Sequence, residues 1–182
     1  MNDVLEKVNL YRAINDITLK GEVVIFGADF MADFPFYELS QKYLFSTALY
    51  NRSLHGLTLA LADRYLKECV LDIHPNKVFF ALGENDLGDS NAMEHYRRLV
   101  QRTQKALPSA GIYLLPVPST SPAAKKFNIE LLRLGTELNL NCPSLCYDTE
   151  ADLPQYSKIF KKLTVLFRSG SLDLTEVFAL AN

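Results

Sequence analysis

Three short stretches hold the residues best suited to chemistry. Asp29 follows the apolar run Val24, Ile25 and Phe26 across Gly27 and Ala28. His55 lies in Asn51-Arg52-Ser53-Leu54-His55-Gly56, and Asn85 and Asp86 lie in Gly83-Glu84-Asn85-Asp86, just after the apolar residues 78–82. A carboxylate such as Asp29 can form a covalent intermediate, whose breakdown then needs an activated water. It can equally accept hydrogen bonds from nearby backbone N–H groups. His55 offers an imidazole for a substitute dyad with Asp29, or serves as a hydrogen-bonded structural residue. Asn85 either donates to a ligand or holds the loop as an Asx turn. Asp86 reads as a loop cap or the partner of a basic neighbour. Arg52 reads as the holder of an anionic group at the mouth of a site, or as an ordinary surface arginine.

Other polar and aromatic residues are weaker candidates. Ser119, Thr120 and Ser121 sit in a Pro/Ser/Thr loop after an apolar segment, where ligand contact and plain loop structure are both open. Phe30, Phe34, Phe36 and Tyr37 either line an acyl pocket or pack a helix. His74 precedes Pro75 on a connection, and His95 lies beside Arg97 and Arg98 on a helical face; both read as solvated.

The elements that must position these residues follow from hydrophobic periodicity. Val4, Val8, Tyr11 and Ile14 recur at helical spacing, which predicts an N-terminal helix over residues 3–17 packed on the domain. Strands are expected at 22–26, 45–50, 78–82 and 111–115, with a short fifth at 145–147. Helices are expected at 37–44, at 57–70 with Leu57, Leu61, Tyr65 and Cys69 on one stripe, from a capping box at Asn91 and Glu94 to Leu107, and over Phe127, Leu131, Leu134 and Leu138. Residues 153–167 give a mixed signal, and 174–180 suggest a final helix. Apolar strands that alternate with long helices point to a parallel sheet covered on both faces. In such sheets, ligands bind at the carboxyl edge, so the three loops are expected to meet in one site.

Bulk properties narrow the class. The chain has 182 residues, 48% of them hydrophobic, and a net charge of −2. That suits one domain able to bury roughly two-thirds of its unfolded surface. No basic cluster points to nucleic acid, and no apolar run approaches the ~18 residues of a membrane span. Residues 1–7 do not have the pattern of a signal peptide. Three cysteines, Cys69, Cys142 and Cys146, without a leader imply reduced thiols and a cytoplasmic location. Cys142 and Cys146 read as structural; no metal site and no cofactor are expected.

The loops also resemble those of the SGNH hydrolases, the GDSL lipase/esterase family, and in particular its platelet-activating-factor acetylhydrolase-like branch. Ala81-Leu82-Gly83-Glu84-Asn85-Asp86-Leu87-Gly88 matches the family's Gly-x-Asn-Asp block. Asn51-Arg52-Ser53-Leu54-His55-Gly56 matches its Asn-rich strand end closing on glycine, and Tyr96-Arg97-Arg98-Leu99 followed by Pro108, Ile112 and Tyr113 continues its rhythm. The resemblance spans about residues 22–175. It implies a three-layer α/β/α, flavodoxin-like fold with a parallel sheet of about five strands.

It does not carry over the catalytic groups. The family's Gly-Asp-Ser falls on Gly27-Ala28-Asp29, so Asp29 holds the nucleophile position and Ala28 the usual aspartate position. The C-terminal Asp-x-x-His falls on Gly170-Ser171-Leu172-Asp173, which puts Asp173 at the histidine position; a shift by one residue puts Ser169 at the aspartate. The histidines are His55, His74 and His95, none in the C-terminal third. A serine hydroxyl needs an oriented base, and all three parts are missing together. The resemblance leaves the oxyanion-hole donors: a turn N–H, the Gly56 N–H and the Asn85 amide. The Asp29 carboxylate is expected to accept bonds from Asn85 and Gly56 and to stay ionised. The chain is thus expected to have lost serine-hydrolase catalysis while keeping a pocket for a small ester, acetylated or carboxylate ligand. The alternatives are an active esterase or acetylhydrolase using Asp29 and His55, and an interaction protein with a closed pocket. A homo-oligomer is a further possibility.

Overall fold

The computed structural model describes residues 2–145 and 156–168. Four parallel strands form one sheet in the order β2-β1-β3-β4: β1 (Val23–Gly27), β2 (Leu49–Asn51), β3 (Lys77–Ala81) and β4 (Gly111–Leu114). Val23 is level with Leu49 on one side and Lys77 on the other, and Gly27 with Ala81. All five β1 residues are buried, as a continuous apolar run in a doubly covered sheet requires.

Period-two alternation sorts the strand side chains into two cores. Val24, Phe26, Val78 and Phe80 point into one, with Val8, Leu66, Tyr96 and Leu131. They meet the helices α1 (Asn2–Ile14), α4 (Leu59–Cys69), α5 (Ala92–Ala106) and α6 (Pro122–Glu137). Val23, Ile25, Phe79 and Ala81 point into the other, with Met31, Phe34, Leu39, Phe160 and Leu163. That side is covered by α2 (Asp29–Ala32), α3 (Phe36–Lys42) and α7 (Tyr156–Arg168). Helices on both faces of a parallel sheet make the expected three-layer α/β/α arrangement. No helix among the described residues is long and apolar enough to cross a membrane.

Several expectations are corrected. Among the described residues the sheet has four strands, close to the expected five. Beyond β4 the chain adds one parallel bridge, Tyr113 to Asn141, ahead of the expected 145–147 strand, of which 146 and 147 lie outside the described residues. The second strand begins at Leu49, not at 45, because Phe45 is drawn into the aromatic core, edge-on to Phe160 at 5.8 Å. The buried stripe of α4 is Leu59, Ala62, Leu66 and Cys69, one step round from the predicted stripe; Leu61 and Tyr65 are partly buried at its margin. Asn91 starts α5 without a side-chain cap, so the expected capping box does not form. The mixed stretch before residue 168 contains α7, with Ile159, Phe160, Leu163 and Phe167 buried. The N-terminal helix ends at Ile14 and tightens into a 3-10 turn, Asn15–Ile17. The helix expected at 174–180 lies outside the described residues, as does Cys146.

Candidate functional site

The chain steps from β1 out to β2 on one side and then crosses back past β1 to β3 on the other. The carboxyl ends of β1 and β3 therefore flank a topological switch point, where open α/β sheets leave a crevice. Asp29 follows β1 and Glu84, Asn85 and Asp86 follow β3. Backbone bonds tie the loops together: Ala28 N donates to Ala81 O at 2.9 Å, and Leu54 N donates to Gly27 O at 3.0 Å. Gly83, at φ +111°, turns the third loop where a Cβ would lie 2.2 Å from the Phe127 ring; no other residue fits there.

All three loops converge on the Asp29 carboxylate. Gly56 N donates to Oδ1 at 3.1 Å, an orientation set by the left-handed Gly56 backbone at φ +66°. Asn85 Nδ2 donates to Oδ2 at 2.7 Å and also reaches Leu57 O at 3.3 Å. His55 bridges two carboxylates: Nδ1 lies 3.4 Å from Asp29 Oδ1, and Nε2 lies 3.2 Å from Asp33 Oδ1. Burial opposes ionisation of Asp29 and is the largest single influence. The Asn85 amide, the Gly56 N–H, His55 and its own backbone N–H together outweigh burial and hold the carboxyl below its ordinary value. Its side chain is 42% exposed, so it sits at the surface of the carboxyl edge rather than in the core.

Two neighbouring acids behave differently. Glu84 Oε2 accepts the Phe30 N–H at 3.1 Å. Burial, with Asp29 and Asp33 close by, pushes its carboxyl up to about 7 despite that bond. Asp86 is buried, and its two oxygens accept the Leu59 N–H at 3.0 and 3.2 Å. It caps the start of α4 from another loop. Burial raises its carboxyl, partly offset by that N–H. Glu84 and Asp33 are the groups missed as site candidates from sequence. The available signals were the charged residue inside the third loop and the i, i+4 spacing of Asp29 and Asp33.

The other candidates fall elsewhere. Arg52 is neither at the mouth nor on the surface: it is 2% exposed, on the side of β2 away from Asp29 and against Tyr11. The reason is strand alternation, which turns Asn51 toward Met31 O, at 2.7 Å, and Arg52 the other way. Phe34 packs on Phe36 with ring centroids 4.5 Å apart and on Tyr156 at 5.1 Å, so these rings build core, while Tyr37 stays exposed. Ser121 Oγ accepts the Ala124 N–H at 3.1 Å and caps α6. His95 is half-buried, with Nδ1 3.3 Å from Arg98 Nη2, and His74 closes a 3-10 turn at φ 50°. Asp173 and Ser169 lie outside the described residues. Among the described residues, no three His, Cys, Asp or Glu side chains gather as metal ligands.

No protein-family model matches the chain, and neither does any curated protein. Solved structures do. A Streptococcus pneumonia protein provisionally described as a platelet activating factor superposes with a TM-score of 0.76 at 16% identity, over 91% of this chain and 93% of that one. A GDSL-like lipase from Bacteroides thetaiotaomicron gives 0.66 at 12% identity, over 87% and 97%. The psychrotrophic esterase EstA from Pseudoalteromonas sp. gives 0.59 at 20% identity, over 90% and 100%. These likenesses establish an SGNH-hydrolase-like fold, shared with GDSL-like lipases, acylhydrolases and esterases.

Proposed function

We propose that this chain is a non-hydrolytic protein of the SGNH-hydrolase fold, whose crevice recognises a small ester, acetylated or carboxylate-bearing ligand. One observation carries the reading. A carboxylate, that of Asp29, already rests on Gly56 N and Asn85 Nδ2, donors of the kind that elsewhere stabilise a developing oxyanion. Donors that hold one carboxylate suit another, and the part-exposed Asp29 side chain can swing aside for a ligand carbonyl or carboxylate. Asp29 itself is a weak nucleophile in this setting. Both its oxygens already accept hydrogen bonds, which stabilise the carboxylate and occupy the lone pairs an attack would use.

A second reading rests on His55, within 3.4 Å of Asp29. Attack of the Asp29 carboxylate on an ester would expel the alcohol, with a proton from His55, and leave a mixed anhydride. Water deprotonated by His55 would then release the acid and restore Asp29. Short-chain p-nitrophenyl esters distinguish the two. The proposed function predicts background rates for the wild type and Asp29→Ala alike. Turnover lost in Asp29→Ala and in His55→Gln would establish the second reading instead. Acetate titration of Asp29→Ala tests the ligand class: the vacated donors should bind acetate more tightly than the wild type does.

A further inference from the structure

On the opposite side of β2, the fold buries a charge that the Asp29 crevice does not use. Tyr50 and Arg52 alternate with Leu49 and Asn51, so they share the face covered by α1. The Arg52 guanidinium carbon lies 4.4 Å from the Tyr11 ring centroid and 5.8 Å from that of Tyr50. The rings attract the cation through their faces but accept none of its in-plane N–H groups. Nη1 and Nη2 are both buried with no hydrogen-bond partner among the described residues. The groups acting on it are Tyr11, Cys69 and Tyr50. Burial pushes both Tyr11 and Cys69 up to about 12, although the Arg52 charge pulls each of them down. Tyr11 and Cys69 are therefore neutral, and no carboxylate is among the groups acting on the charge. A buried charge left in that state is costly unless a partner is supplied.

A cleft of about 310 Å³ adjoins it, walled by Tyr11, Ile14, Ile17, Leu49, Tyr50 and Arg52. That volume is near the lower end for small-molecule sites. Ile17, at 83% exposure, marks its open side. The walls are mainly apolar, and the one charge among them is a planar, two-pronged cation. We propose that this cleft binds a short-chain monocarboxylate, its head on Nη1 and Nη2 of Arg52 and its tail against Ile14 and Ile17. A carboxylate is the natural match for the guanidinium fork. The head reaches the covered nitrogens by displacing the Tyr50 ring. That ring is tethered at its hydroxyl, which accepts the Leu19 N–H at 2.7 Å. Binding therefore perturbs Leu19.

The test is a titration of the full chain with sodium hexanoate, followed by calorimetry and backbone amide NMR. Saturable binding is expected, with shifts at Leu19, Tyr50 and Arg52 and none at Gly56 or Asn85. Hexanol, with the same tail and no charge, should not bind. Arg52→Gln should weaken binding about tenfold or more, the scale for losing a charge-assisted pair. Ile17→Glu, on the exposed rim, should weaken it by repulsion without affecting the fold. The proposal is overturned by no saturable binding at millimolar hexanoate, by equal affinity in both variants, or by shifts centred on Gly56 and Asn85. It is also overturned if sodium chloride reproduces the shifts, since the site would then take a simple inorganic anion.

Discussion

Replacing Glu84 by Gln should remove a pH-dependent loss of stability. The group titrates near 4.5 in an open chain and is pushed up to about 7 in the fold, chiefly by burial. A raised carboxyl holds its proton in the folded state at pH values where the unfolded chain has released it. Stability from this group therefore falls as pH rises from about 4.5 to about 7 and levels off above that. The full difference corresponds to roughly 3 kcal/mol. Glu84 is half-buried, and solvent screening reduces the expected effect to about 1–2 kcal/mol. Gln keeps an oxygen for the Phe30 N–H, so the variant should match the wild type near pH 4. By pH 8 it should be more stable by that amount. Urea unfolding followed by circular dichroism at half-unit steps from pH 4 to 8 measures the difference. Parallel stability curves for the two proteins, or a variant less stable at pH 8, would refute the reasoning.

Other substitutions test the scaffold under the crevice. Gly83→Ala drives a Cβ into the Phe127 ring at 2.2 Å and imposes φ +111° on a residue with a side chain; a loss of about 2–3 kcal/mol in chemical denaturation is expected. Asp86→Ala leaves the Leu59 N–H without its carboxylate acceptor and should cost about 1–3 kcal/mol, with faster amide exchange at the start of α4. Phe160→Ala empties a fully buried site between Phe36, Tyr43 and Phe45 and should cost about 3–5 kcal/mol by thermal or urea unfolding.

Much of the frame is legible in the chain because β1 and β3 are continuous apolar runs that stop abruptly at small-residue turns. Such runs fit a doubly covered parallel sheet, and the residues after them must lie at its carboxyl edge. The rest depends on facts that periodicity does not encode. Lys158, Lys161, Lys162 and Thr164 interrupt α7 and blur a stripe that appears once Phe160 and Phe167 have an aromatic core to enter. Phe45 has strand character by type, yet packing against Phe160 claims it. Arg52 shows its chemistry in the sequence but not its side, because a single step in strand register moves it from the crevice to the face under α1. The capping box at Asn91 fails because Asp89, two residues earlier, accepts the Asn91 N–H and shapes the entry to α5. The bonds on Asp29 depend on the left-handed Gly56 and on Asn85 reaching across from another loop, tertiary details beyond any local pattern.

The central claim is that Gly56 and Asn85 hold the Asp29 carboxylate as an anion at the carboxyl edge of the sheet. Carbon-13 carboxyl NMR across pH 2 to 8, on the wild type and on Asn85→Ala, tests it most directly. Asp29 should titrate below the ordinary aspartate value of about 3.9 in the wild type and move upward in Asn85→Ala. A wild-type midpoint at or above the ordinary value, or one that Asn85→Ala leaves in place, would contradict the claim.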